Sequence, residues 1–302
     1  MKFQGVLFFP VTPFAPDGSL DEELLARHIE SGVAAGAGGV FVACGTGEFH
    51  ALTPEETERA TRVAVTVTAG RVPVLAAAGG PVPVARDQAA RIARAGADGI
   101  LLLPPYLVTA PQQGLLRYVE EVGAAGHLPL VFYQRGTARL TEATAARLAA
   151  LPRVVGLKDG IGDIELMHRI VRAVRAVPGT HDFQFFNGLP TAETTAPAYR
   201  GIGVGLYSSA VFAFAPEIAL AFHHALTTDD EPLVTTLLDE FYGPFVALRD
   251  EVPGYAVSLV KAGVALRGLD VGGVRAPLCD PTPEHTARLA ELIDHGMEVL
   301  GA

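Results

Sequence analysis

A chain of 302 residues is too long for a small disulfide-stapled module and suits one large domain, or a barrel with an appendage. Hydrophobic residues at 49% and charged residues at 19% allow a sizeable core, the reverse of a disordered composition. A formal net charge of −10 argues against nucleic acid or an anionic membrane as the main partner; two distant cysteines, Cys44 and Cys279, argue against a disulfide framework and favour a reduced, cytoplasmic setting.

In chain order, short apolar runs alternate with longer amphipathic segments. The first run, residues 5–11, is short and is followed by Pro13, so it reads as a buried strand rather than a leader. Further strands are expected at 39–43, 72–77, 99–103, 128–133, 154–158, 182–186 and 202–206. Helices are expected between them at 20–35, 54–69, 82–95, 111–125, 141–150, 164–177 and 191–199, where apolar residues recur every three or four positions. The strand runs are apolar nearly throughout, as parallel strands covered on both faces must be. Beyond Pro216 the pattern is helical only, at 217–226, 231–248, 255–267 and 283–300. No apolar run reaches the roughly 18 residues a membrane helix needs.

Eight strand-then-helix units predict an α/β fold, a closed (β/α)8 TIM barrel, with residues 1–226 as barrel and 227–302 as a helical extension packed on it. A doubly wound open sheet is the alternative, but the first turn, residues 12–18, lacks a dinucleotide-type glycine fingerprint.

In such a barrel, chemistry belongs where strands end. The chain has three lysines, Lys2, Lys158 and Lys261, against twenty arginines. Lys158 ends the sixth expected strand and would point into the barrel mouth, where desolvation exposes the amine lone pair for Schiff-base formation. Pairing with Asp159 is the plain alternative. Tyr133 ends the neighbouring fifth strand and could relay protons; capping the core is its alternative role. The turn Cys44-Gly45-Thr46-Gly47-Glu48 offers backbone N–H groups and a hydroxyl that can cradle a carboxylate, although an ordinary turn has the same composition. Cys44 reads as a packed small hydrophobe. The nine histidines form no HxH or HExxH pattern, so no metal site is expected. Gly201-Ile202-Gly203-Val204-Gly205 reads as close packing inside the eighth strand.

The Gly-Thr-Gly-Glu turn, Pro104-Pro105-Tyr106, Tyr133 and Gly156-Leu157-Lys158-Asp159 together resemble the dihydrodipicolinate synthase/N-acetylneuraminate lyase superfamily, over essentially the whole chain. Phe49 after that turn, Gly160-Ile161-Gly162-Asp163, Gly188-Leu189-Pro190-Thr191-Ala192-Glu193 and Tyr207-Ser208-Ser209-Ala210-Val211-Phe212 resemble its 5-dehydro-4-deoxyglucarate dehydratase branch. Gly45 and Leu107 stand where the synthase branch favours threonine and tyrosine. Gln134 and His50 depart from the dehydratase pattern, which has asparagine and an aromatic there.

The resemblance implies a Schiff base on Lys158, proton relay by Tyr133, and a carboxylate held at Gly45 and Thr46. It adds Arg135, Ser208 and Ser209 as contacts to the far carboxylate and hydroxyls of a keto-deoxy sugar diacid. Arg135 also suits a diacid on physical grounds, through bidentate pairing. It implies no metal or organic cofactor, and a homo-oligomer, tetramer or dimer, with Tyr106 near a neighbour's site. A class I aldolase releasing pyruvate, a silent sugar-acid-binding barrel and a metal-dependent aldolase are the competing readings.

Overall fold

Eight parallel strands close on themselves in chain order: β1 (Leu7–Phe8), β2 (Gly39–Val42), β3 (Val74–Ala78), β4 (Gly99–Leu102), β5 (Leu130–Gln134), β6 (Val154–Asp159), β7 (Gln184–Asn187) and β8 (Leu206–Ser209). The computed structural model describes residues 1–105 and 107–301. Closure is explicit in the register: Leu7 of β1 pairs with Gly39 of β2 on one side and with Ser208 of β8 on the other. That pairing removes both edges and excludes the open doubly wound sheet.

The crossover helices are α1 (Glu22–Ala34), α2 (Pro54–Thr68), α3 (Val82–Arg94), α4 (Gln112–Gly126), α5 (Glu142–Ala149), α6 (Ile164–Arg175), α7 (Ala196–Gly201) and α8 (Pro216–Thr228). Local chemistry starts several of them. Asp21, Thr141 and Asp163 accept from the backbone N–H three residues on, and Thr53 forms a reciprocal capping box with Glu56.

Two hydrophobic layers follow from strand alternation. In β5, Val131 and Tyr133 join an inner cluster with Phe3, Phe9, Phe41, Leu101 and Phe186, whereas Leu130 and Phe132 face the helices. The inner cluster fills the lumen, so the barrel is a packed core with its functional surface at the strand ends.

Two expectations are corrected. The eighth strand is not 202–206 but Leu206–Ser209. Gly201 ends α7, Ile202 caps it, and Gly203 turns the chain with φ of 87°, a left-handed conformation that glycine adopts without strain. The glycine-rich stretch is therefore the turn into β8, and Tyr207-Ser208-Ser209 lies within the strand. The expected helix at 191–199 is a 3₁₀ turn, Ala192–Thr195, leading into α7.

Among the described residues, four helices follow α8: α9 (Glu231–Leu237), α10 (Gly243–Asp250), α11 (Tyr255–Leu266) and α12 (Pro283–Val299). The segment read as one helix, 231–248, is interrupted by π-helical turns at Leu238–Tyr242. Pro244 just beyond has no N–H to donate, and the widened backbone ahead of it accommodates that loss. No helix among the described residues is long and apolar enough to cross a membrane.

Candidate active site

A cavity of about 410 Å³ opens at the C-terminal ends of the strands. Lys158, Tyr133, Gly45, Thr46, Arg135 and Ser208 all line it. It thus gathers side chains from β5, β6 and β8 and from the turn after β2.

Lys158 is the penultimate residue of β6, opposite Tyr133 of β5 on one side and Phe186 of β7 on the other. It is buried, with only 6% of its surface exposed. Its Nζ lies 4.1 Å from the centre of the Phe9 ring and 4.6 Å from that of Tyr133. No carboxylate among the described residues pairs with it. Burial draws its ammonium down to about 7, and the positive Arg135 acts in the same direction.

The alternative of pairing with Asp159 fails for a geometric reason. Successive strand residues face opposite sides, so Asp159 points outward into its own network. It accepts from Gln134 Nε2 at 2.7 Å, from the Tyr199 hydroxyl and from the backbone N–H groups of Ile161 and Gly162.

Tyr133 donates its hydroxyl hydrogen to the carbonyl of Gly188 at 2.6 Å. Burial pushes its phenol pKa up. Two glycines make this arrangement possible. A Cβ at Gly188 would lie 2.5 Å from Lys158 Cε, and one at Gly160 would lie 2.8 Å from the Tyr133 hydroxyl. Both positions fall in stretches singled out from sequence, but only the structure gives their steric reason.

Gln134 does not face the cavity. It is buried on the outer side of β5, where Nε2 holds Asp159 and Oε1 accepts from the Leu140 N–H at 3.2 Å. The substitution relative to the dehydratase pattern therefore acts on scaffolding. Arg135 follows at a tight turn closed by an Ala138 N–H to Arg135 carbonyl bond, with Gly136 at φ of 58°. Its guanidinium lies 6.0 Å from the Tyr133 ring centre and has no carboxylate partner among the described residues. His50 lines the same cavity and is exposed.

Ser209 is a correction. It alternates with Ser208, so its side chain turns outward, away from the cavity, and is fully buried. Its hydroxyl donates to Glu193 and accepts from the Phe212 N–H at 3.0 Å. Burial pushes the Glu193 carboxyl up to about 7, against the opposing effect of that hydrogen bond. Ser209 ties β8 to the 192–195 turn and is not placed to touch a ligand.

Cys44 packs in the inner cluster, fully buried, its thiol pushed up to about 12 by burial. It is a packed neutral thiol, not a nucleophile. Tyr106 lies outside the described residues.

Sequence reasoning missed the wall supplied from beyond α8. Phe245, Ala256, Val257 and Leu278 line the cavity. Their spacing carried no strand-end signal. The pairing of Glu48 with Lys261 was also missed: they form a fully buried ion pair at 2.8 Å. The scarcity of lysine was the available clue to it.

The fold and this cavity define a (β/α)8 barrel with a desolvated lysine at the mouth and a helical wall beyond it. Residues 2–296 match the dihydrodipicolinate synthetase family, and the chain belongs to that family. It is 57% identical over 297 residues to a Streptomyces avermitilis protein named probable 5-dehydro-4-deoxyglucarate dehydratase 1, covering 98% of this chain and 94% of that one. It is 46% identical to an Azotobacter vinelandii protein named probable 5-dehydro-4-deoxyglucarate dehydratase, covering 96% and 94%. Among solved structures, dihydrodipicolinate synthase from Oceanobacillus iheyensis superposes with a TM-score of 0.88 at 26% identity, covering 97% of this chain and 96% of that one.

Proposed function

We propose that this protein is a lyase that converts 5-dehydro-4-deoxy-D-glucarate to 2,5-dioxopentanoate with loss of water and CO2, through a Schiff base on Lys158. The observation that carries the reading is a buried Lys158, without a carboxylate partner among the described residues, facing the cavity of a chain 57% identical to a protein named for that dehydration.

The steps follow from electron flow. Lys158, neutral for a substantial fraction of the time near pH 7, attacks the C5 ketone and expels water to give an iminium. The iminium acidifies C4–H; removal of that proton gives an enamine, which expels the C3 hydroxyl. Tyr133 is the proton carrier in this scheme, its ring beside the Lys158 Nζ and its hydroxyl fixed by the Gly188 carbonyl. The new C3–C4 double bond is conjugated with the iminium. When C1 leaves as CO2, its bonding pair flows from C2 through C3 and C4 to nitrogen. Protonation, tautomerisation of the C2 enol to an aldehyde and hydrolysis free the product and the lysine. One nitrogen serves as electron sink for both eliminations, so the scheme calls for no metal or organic cofactor.

Gly45 and Thr46 hold the C6 carboxylate beside the ketone, and Arg135 and Ser208 meet the C1 end. The proposal includes a homo-oligomeric assembly, to which Leu107 at 86% and Val108 at 47% exposure offer an apolar surface, and a cytoplasmic setting. Reduction with borohydride in the presence of 5-dehydro-4-deoxyglucarate tests the chemistry. An adduct on the peptide containing Lys158 is expected; labelling at Lys2 or Lys261 instead would overturn it.

A further inference from the structure

The turn after β2 is built with unusual constraint. Glu48 is fully buried in a left-handed conformation, φ of 57°, that costs a non-glycine residue free energy unless its surroundings impose it. Its surroundings come from the far end of the chain. Glu48 Oε1 accepts from Lys261 Nζ on α11 at 2.8 Å, and Oε2 accepts from the Arg275 backbone N–H at 2.8 Å. Lys261 also donates to the Gly273 carbonyl at 2.6 Å and lies 4.1 Å from the centre of the Phe14 ring. Arg275 in turn stacks on Phe14 at 4.0 Å and pairs with Glu56 at the start of α2.

The clamp reaches the cavity within the turn itself. The Glu48 N–H donates to the Gly45 carbonyl at 3.2 Å, and Phe49 N–H donates to the Cys44 carbonyl at 3.0 Å. The Thr12 hydroxyl donates to the Gly47 carbonyl at 2.6 Å. Moving Glu48 therefore moves Gly45 and Thr46, both of which line the cavity. Neither Glu48 nor Lys261 lines it, so neither is placed to touch a ligand directly.

We propose that Lys261 and Glu48 are positioning residues for substrate, with the segment beyond the barrel holding the Gly45–Thr46 turn in the conformation that receives the carboxylate next to the reacting ketone. This rests on the proposed Schiff-base chemistry and adds a role for the C-terminal segment in recognising one substrate group. Buried ion pairs are poor sources of stability, and in this proposal the pair's role is geometric: both partners are fixed by further hydrogen bonds, Lys261 to the Gly273 carbonyl and Glu48 from the Arg275 N–H.

The test compares two ketones that differ in the carboxylate. Pyruvate and acetone are each incubated with the protein and borohydride, and the rate of adduct formation on Lys158 is followed by peptide mass. In Lys261→Met, trapping of pyruvate should fall by about tenfold or more, the scale of a binding group displaced by a fraction of an ångström, while acetone trapping stays within about twofold. Because that variant strands a buried carboxylate, Glu48→Gln/Lys261→Met is measured beside it; it buries no unpaired charge and should show the same selective loss. Equal losses for both ketones, or a double variant that traps pyruvate as the unaltered protein does, would overturn the proposal. Absence of any Lys158 adduct in the unaltered protein would instead overturn the Schiff-base reading, and that result is read before any variant is made.

Discussion

Tyr133 and Lys158 are register partners on adjacent strands, and the same loop serves both: the Gly188 carbonyl accepts the Tyr133 hydroxyl while its missing side chain leaves room for the Lys158 stem. The pair is thus set by three consecutive strands of one barrel. Its chemistry depends on the amine being desolvated and the hydroxyl being held.

Tyr133→Phe should lower turnover by roughly two to four orders of magnitude, the usual scale for a proton-transfer group. Steady-state kinetics on 5-dehydro-4-deoxyglucarate checks this. A loss below about threefold would assign Tyr133 to packing.

Lys158 gives a pH dependence of known sign. Its folded pKa of about 7 lies below the ordinary 10.5, so the amine gains its lone pair as pH rises through about 7. The rate of Schiff-base formation should rise with pH across that point and then level. Stability should follow the same direction. Between about 7 and 10.5 the unfolded chain binds a proton that the folded protein lacks, so stability rises with pH, by at most about 1.4 kcal/mol per pH unit. Thermal melts of Lys158→Met should lose that slope and show greater stability than the unaltered protein at pH 6.

Much of this was legible in the sequence because barrels advertise themselves. Nearly continuous apolar runs such as 99–103 alternate with amphipathic segments, and Lys158 follows its run directly. The eighth strand was displaced because Gly201–Gly205 has strand-like isoleucine and valine, while the positive φ at Gly203 is a backbone property hidden from composition. That shift also hid the alternation that separates Ser208 from Ser209. The Glu48–Lys261 pair and the wall around Phe245 and Leu278 were not legible because they join positions some two hundred residues apart, which no local periodicity encodes.

Gly188→Ala should cut activity by at least about tenfold. Its Cβ would lie 2.5 Å from Lys158 Cε and 2.9 Å from the Asp159 carbonyl oxygen, so the lysine stem or the backbone must move. Overpacking of this kind costs about 1–3 kcal/mol, so a lower melting temperature should accompany the loss. Unchanged kinetics would show that the loop yields freely.

Arg135→Ala should damage the six-carbon diacid about ten- to a hundredfold more in kcat/KM than a monoacid analogue lacking C1, the worth of a charge-assisted pair. Competition kinetics between the two compounds reads the ratio directly. Equal losses would make Arg135 a structural residue of the turn that Ala138 closes.

The most direct test of the whole account is product analysis with purified protein and 5-dehydro-4-deoxyglucarate. The account predicts one CO2 and one 2,5-dioxopentanoate per substrate consumed, with no pyruvate. Release of pyruvate without CO2, from this compound or from another 2-keto-3-deoxy acid that the protein prefers, would contradict it and establish an aldolase on the same barrel.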